Sequence, residues 1–175
     1  IFPTDTALGI GCRIDNVRAV DRLFAIRKRP VTHATPVLVS SRDMAITYYD
    51  SPSDIVRHLM NTYWPGALTI VAPCKKALVY SPIRGDGETV GLRMPNHMEL
   101  LGIIDALGVP VIGTSANFSG GNTPYTQSDL DPELVKQVDF VLPGEGSGNR
   151  ASTVIDCSGN HPVILRQGVV IVEGI

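Results

Sequence analysis

The residues best suited to chemistry in this sequence are guanidinium, hydroxyl and amide groups gathered at the ends of short apolar runs. The run 109–112 feeds directly into Gly113-Thr114-Ser115-Ala116-Asn117-Phe118-Ser119-Gly120-Gly121. Such a junction exposes main-chain N–H groups and short donors at the end of a buried strand, where open α/β sheets bind ligands. Glycine lets the backbone approach a bound group, and Ser and Asn add donors of little bulk. A polar turn uses the same residue types, so the segment gains meaning from its company. Arg27-Lys28-Arg29, with His33 close behind, puts three consecutive cations at a helix end, more than the helix dipole calls for. Arg93 lies in an apolar run beside Pro95, where an unpaired buried charge is costly. It must reach solvent or meet an anion, and a carboxylate from a neighbouring element would serve as well as a ligand. Arg166 closes another apolar run and is followed two residues later by glycine, one hairpin after Arg150-Ala151-Ser152-Thr153. Near the start, Thr4, Asp5 and Thr6 interrupt an apolar context that ends in Gly9 and Gly11.

A pocket of cations and short donors that is poor in bases suits phosphoryl or nucleotidyl transfer, where the protein positions reactants and stabilises charge. There is no Ser-His-Asp arrangement, no metal-ligand cluster and no obvious carboxylate pair. His33 has no evident carboxylate partner. The G-x-x-x-x-G-K-[ST] pattern of P-loop enzymes is also missing.

Strands and helices must hold these groups. Residues 16–26 are predicted as an amphipathic helix capped by Asp15 or Asn16, with Val20, Leu23 and Phe24 on one face. A second helix is predicted over 53–63, ended by Trp64-Pro65-Gly66. A third is predicted over 96–107, with Asn96 as cap, Glu99 at the capping-box position and Gly108 as terminator. Asp131-Pro132-Glu133 starts a fourth. Strands are predicted at 36–39, 67–72, 89–94, 109–112, 140–142, 153–156, 163–165 and 169–172, with a hairpin turn at Ser158-Gly159-Asn160. Strands alternate with helices early and crowd together late, so one α/β domain over 1–175 is expected, with a largely parallel sheet and an antiparallel portion.

Composition narrows the classes. The chain of 175 residues is 43% hydrophobic and 18% charged, enough for one substantial core and below the usual charged fraction of about 25%. A net charge of −2 supplies no global field for nucleic acid. Apolar runs fall well short of the ~18 residues of a membrane span. Arginines outnumber lysines 11 to 4, a bias that fits carboxylate and phosphate binding. Cys12, Cys74 and Cys157 are odd in number and widely spaced, as expected of thiols in a reducing cytoplasm. The opening Ile1-Phe2-Pro3 reads as the inside of a strand, so an N-terminal helix and strand start are expected to be missing.

With these segments in order, the chain resembles the YrdC/TsaC family of threonylcarbamoyl-AMP synthases. The likeness rests on Pro3-Thr4-Asp5-Thr6 with Gly9 and Gly11, Arg27-Lys28-Arg29-Pro30, Trp64-Pro65-Gly66-Ala67-Leu68-Thr69, Arg93-Met94-Pro95, and Ser115-Ala116-Asn117 with Ser119-Gly120. Ser152-Thr153-Val154 and Leu165-Arg166 complete it. The resemblance implies a three-layer α/β fold, with a twisted mixed sheet flanked by helices around a positively charged cavity. It also implies that L-threonine, bicarbonate and ATP give L-threonylcarbamoyladenylate and pyrophosphate, with Mg²⁺ on the phosphates. A threonylcarbamoyl-transferase complex would then modify tRNA.

Carried over by position, Thr6, Arg93, Gly113 and Ser152 would hold threonine. Arg27, Lys28, Arg29, Ser115, Asn117 and Arg166 would bind the nucleotide, with His33, Thr89 and Thr123 as secondary contacts. Arg29, Ser115 and Asn117 would be catalytic. Arg27 stands where the family usually has lysine, Leu8 where it has tyrosine, and His33 where lysine or asparagine is common. The resemblance leaves open a module that binds RNA, including double-stranded RNA, or matures ribosomes through the same cavity. A domain of the hydrogenase-maturation type that uses carbamoyl phosphate is disfavoured by the lack of zinc-finger cysteines.

Overall fold

The computed structural model describes residues 1–173. Along them run β1 (Gly9–Ile10), α1 (Val17–Arg27), β2 (Val37–Leu38), α2 (Arg42–Tyr48), α3 (Asp54–Tyr63), β3 (Leu68–Pro73) and β4 (Thr89–Arg93). They continue as α4 (Met98–Leu107), β5 (Val111–Ile112), β6 (Thr114–Ser115), α5 (Pro132–Val135), β7 (Thr153–Asp156) and β8 (Val163–Arg166). Six strands form one sheet in the order β5-β2-β4-β3-β7-β8, and β1 pairs with β6 in a separate antiparallel ribbon.

Local chemistry explains most element ends. Asn16 caps α1 by accepting from Ala19 N at 3.1 Å, while Asp15 instead pairs with Arg13. At the other end Lys28 takes a left-handed conformation (φ 52°), and Arg29 N reaches back to Phe24 O at 3.0 Å. That closes the helix in the manner glycine usually allows. Helix α4 starts later than predicted. Its cap is His97, not Asn96, because the imidazole Nδ1 accepts from Leu100 N at 3.3 Å. Glu99 is therefore the second helical residue and makes no capping box. Gly108 ends α4 with φ 67°, as predicted.

The layers follow from the period-2 alternation of β2. Val37 and Val39 join the apolar cluster supplied by α1, α2 and α3, whereas Leu38 between them joins that of α4, with Leu100, Ile104 and Val111. Helices therefore flank the sheet, and Val37, Val39 and Leu38 are essentially inaccessible.

The sheet is less parallel than expected. β2–β4 and β3–β7 are parallel, but β2–β5, β3–β4 and β7–β8 are antiparallel. A parallel pair needs a long crossover. Between β3 and β4 the chain makes only turns and a 3₁₀ segment, Ser81–Arg84, so β4 runs back alongside β3. Two predicted strands do not form. Residues 140–142 only bracket the chain start, with Ile1 N donating to Phe140 O and Leu142 N to Ile1 O. Residues 169–172 run irregularly past Ala151 and Thr153, with Val169 N on Ala151 O and the Thr153 hydroxyl on Val170 O. Helix α2, capped by Ser41, was not foreseen.

Candidate anion and amino-acid site

Register brings the chemistry-bearing residues to one end of the sheet. Arg93 ends β4, and β3 runs the opposite way beside it, so Thr69 at the start of β3 lies at the same end. β7 is parallel to β3 and β8 antiparallel to β7, which adds Ser152, just before β7, and Arg166, the last residue of β8. The β1–β6 ribbon pairs Gly9 with Ser115 and Ile10 with Thr114, so the Thr4–Thr6 segment and the Ser115–Asn117 segment enter together.

Two groups of side chains result. In the first, Arg27 leaves the end of α1 and is only 3% exposed. Its Nε donates to Asn117 O at 3.0 Å, Nη1 to Thr114 Oγ1 at 2.7 Å and Nη2 to Asn117 Oδ1 at 3.1 Å, with Ser115 Oγ 3.5 Å away. Ser115 Oγ donates to Asn117 Oδ1 at 2.6 Å, and Asn117 Nδ2 donates to Gly121 O at 2.6 Å. Arg27 also ties the loop through its carbonyl, which accepts from Ser119 N at 2.8 Å. All its acceptors are neutral. Burial, reinforced by repulsion from Arg29, pulls its pKa down to about 10. Arg29 is held over the same turn by His33 O and Ala34 O, and burial lowers its pKa too. Among the described residues neither arginine makes an ion pair.

Lys28 rests its ammonium 5.1 Å from the centre of the Phe118 ring, a cation–π contact. His33 is exposed and takes part here through its carbonyl. Gly113 is required by packing, because a Cβ there would sit 2.3 Å from the Leu38 side chain. Thr123 precedes Pro124, whose carbonyl accepts from Leu8 N. Thr89 starts β4 and Arg93 ends it, about 13 Å apart at ~3.3 Å per residue, so the structure does not bring Thr89 to the Arg93 group. Leu8 is 1% exposed within the core, so that departure from the family pattern is a packing residue.

The second group surrounds Arg93, itself 6% exposed. Its Nε donates to Gly66 O at 3.1 Å, Nη1 to Thr6 Oγ1 at 3.0 Å and Nη2 to Asp5 Oδ1. The Trp64-Pro65-Gly66 turn therefore ends α3 and also aims a carbonyl at Arg93, while Gly66 N bonds Met94 O. Thr4 Oγ1 and Thr6 Oγ1 are 3.0 Å apart. Arg166 donates to Ser152 O and Oγ at 3.0 and 3.1 Å, and Ser152 Oγ shares a hydrogen bond with Thr69 Oγ1. Burial lowers the pKa of both arginines; for Arg93 it outweighs the attraction of Asp5, and Arg166 adds repulsion.

The structure thus supplies a partner for Arg93 that the sequence reading left open: the buried anion it meets is the protein's own Asp5. Thr4, Asp5, Thr69, Thr114 and the Gly66 carbonyl are participants that were not singled out for the site. Each lies in a segment the sequence marks, Thr4 and Asp5 in the polar interruption near the start, Gly66 and Thr69 after Trp64, and Thr114 before Ser115, but no local pattern assigns them to the site. An apolar cavity of about 390 Å³ lies elsewhere, between α1 and α4, and none of Arg27, Arg29, Arg93 or Arg166 lines it.

Backbone crowding behind Ser152 gives a first test. A Cβ at Gly168 would lie 2.3 Å from Ala151 O and from Ser152 C. Gly168→Ala is expected to lower stability by about 1–3 kcal/mol by displacing Ser152, read as a shifted urea midpoint. An unchanged midpoint would mean that this segment yields freely.

Comparison with known proteins shows the family and the fold. The family model for Sua5, YciO and YrdC, described as "Telomere recombination", matches residues 1–168. A Bacillus subtilis (strain 168) protein named threonylcarbamoyl-AMP synthase is 34% identical over 99% of this chain and 51% of its own length. Escherichia coli (strain K12) YciO, named as uncharacterized, is 30% identical over 97% of this chain and 82% of its own. The structure of P. abyssi Sua5 complexed with L-threonine superposes with a TM-score of 0.87 at 29% identity, covering 95% of this chain and 49% of that one. The chain therefore spans about half the length of the Bacillus relative. No helix among the described residues is long and apolar enough to cross a membrane.

Proposed function

The chain belongs to the Sua5/YciO/YrdC family, and from that premise we propose that it makes L-threonylcarbamoyladenylate and pyrophosphate from L-threonine, bicarbonate and MgATP. Arg27 carries this reading. It is an enclosed guanidinium, repelled by Arg29, hydrogen-bonded only to neutral groups of the Thr114–Asn117 segment, and without an ion pair among the described residues. Such a charge is stabilised by an incoming phosphate, which brings both counter-charge and acceptors.

The division of labour follows the two groups of side chains. Arg27, Arg29, Ser115 and Asn117 hold the nucleotide's phosphates, and Arg166, from the second group, also serves the nucleotide. Arg93, Thr6, Ser152 and the Gly113 backbone hold the amino acid. Lys28, His33, Thr89 and Thr123 are peripheral to these groups. The substrate amine takes up bicarbonate, losing water, to form a carbamate. One carbamate oxygen attacks the α-phosphorus and the bond to the β-phosphate oxygen breaks, so pyrophosphate departs. The guanidinium groups stabilise the charge that gathers on the bridging and terminal oxygens. Mg²⁺, carried by the nucleotide, shares that neutralisation. A threonylcarbamoyl-transferase complex acting on tRNA in the cytoplasm would consume the adenylate.

The test is pyrophosphate release by the whole chain in bicarbonate buffer with MgATP. Release should depend on L-threonine. Nucleotide binding with no threonine-dependent release would sink the synthase reading. RNA affinity that falls steeply with salt, without turnover, would point instead to a binding module.

A further inference from the structure

The ion pair of Arg93 and Asp5 is surrounded by polar groups. Thr4, Thr6 and the Gly66 carbonyl lie on one side, and Arg166 is close enough to repel Arg93. Their side chains are 8% and 11% exposed. A guanidinium has five N–H donors. Arg93 uses three of them, on Gly66 O, Thr6 Oγ1 and Asp5 Oδ1. Asp5 accepts from Arg93 through Oδ1 alone, and its Oδ2 has no hydrogen-bond partner among the described residues. Two cationic donors of Arg93 and one anionic acceptor of its partner Asp5 thus have no hydrogen-bond partner among the described residues.

That pattern complements a zwitterion. A carboxylate alone at Arg93 would be repelled by Asp5, and an amine alone at Asp5 would meet Arg93. A molecule bearing both charges on one carbon satisfies each. We propose that Asp5 receives the α-ammonium of the amino-acid substrate while Arg93 receives its carboxylate, so the buried pair reads the head group of an α-amino acid. This rests on the synthase reading above and adds to it a residue that selects for the amine. The same contact holds the nitrogen that must take up bicarbonate, which makes Asp5 a positioning group as well.

Calorimetric titration of the whole chain with L-threonine and with 2,3-dihydroxybutanoate, which replaces the ammonium by a hydroxyl, tests it. The wild-type protein should bind threonine roughly ten- to hundredfold more tightly, the worth of one charge-assisted hydrogen bond. Asp5→Asn should remove most of that preference, weakening threonine while leaving the hydroxy acid no weaker, since the charge that repels its carboxylate is gone. Parallel weakening of both ligands, with the preference intact, would show that Asp5 merely orders Arg93 and would overturn the proposal while leaving the synthase reading in place. Wild-type protein that binds neither ligand would overturn both. If Asp5→Asn fails to fold, Asp5→Glu keeps the charge and shifts the carboxylate outward by one methylene. It should then change the preference by at least about threefold, and an unchanged preference would be fatal to the idea.

Discussion

Arg27→Met is expected to lower threonine-dependent pyrophosphate release by about 100-fold or more, equivalent to about 2.7 kcal/mol of lost charge stabilisation. Stability should change much less, within about 2 kcal/mol, because two effects oppose. The acceptors on Thr114 and Asn117 lose their donor. At the same time, a charge whose burial pulls its pKa to about 10 is removed from the interior. Arg27→Lys should retain release within about tenfold, since an ammonium keeps the charge but not the planar fork. Turnover that survives the methionine substitution would take the first arginine group out of the mechanism.

The same residue sets a pH limit. Its folded pKa, about 10, lies below that of an ordinary arginine. Arg27 is therefore charged throughout the neutral range, and nucleotide affinity should fall as pH rises through about 10. Between those values the unfolded chain holds this proton more firmly than the folded one, so the Arg27 contribution to stability rises with pH. Loss of binding there is thus not unfolding driven by Arg27.

The second large effect concerns stability. Arg93→Gln should cost about 3–5 kcal/mol, since it strands the nearly buried Asp5 carboxylate without its counter-charge. Small proteins have about 5–15 kcal/mol in all, so the urea midpoint should drop markedly. Asp5→Asn alone should also destabilise, and the double variant Asp5→Asn with Arg93→Gln should lose clearly less than the two single losses combined. Strict additivity would mean that the two side chains are not paired in solution. The consequence for kinetics is direct: low activity in an Arg93 variant reads as lost binding only after its folding has been measured.

Helices α1 and α3 and strands β3, β4 and β7 were legible because periodicity, caps and breakers act within a few residues. Asn16, Gly108 and Asp131 behave as their types predict. The failures have local causes of a different kind. His97 outcompetes Asn96 as cap because an imidazole nitrogen can also accept. The apolar runs 140–142 and 169–172 have strand composition, yet they bond to the chain start and to the Ala151–Thr153 turn without joining the sheet. Composition records what a segment prefers, and a sheet position depends on whether a partner edge is available.

The amino-acid order alone named candidates such as Arg27, Arg93, Ser115, Asn117, Ser152 and Arg166 and most of the element boundaries beside them, because side-chain type and element boundaries are properties of short stretches. Folding in three dimensions decided the partners. Arg93 meets Asp5 across 88 positions, and Arg27 meets Asn117 across 90. Contacts so distant depend on strand order, register and the direction each side chain takes from its element, and no local pattern encodes these.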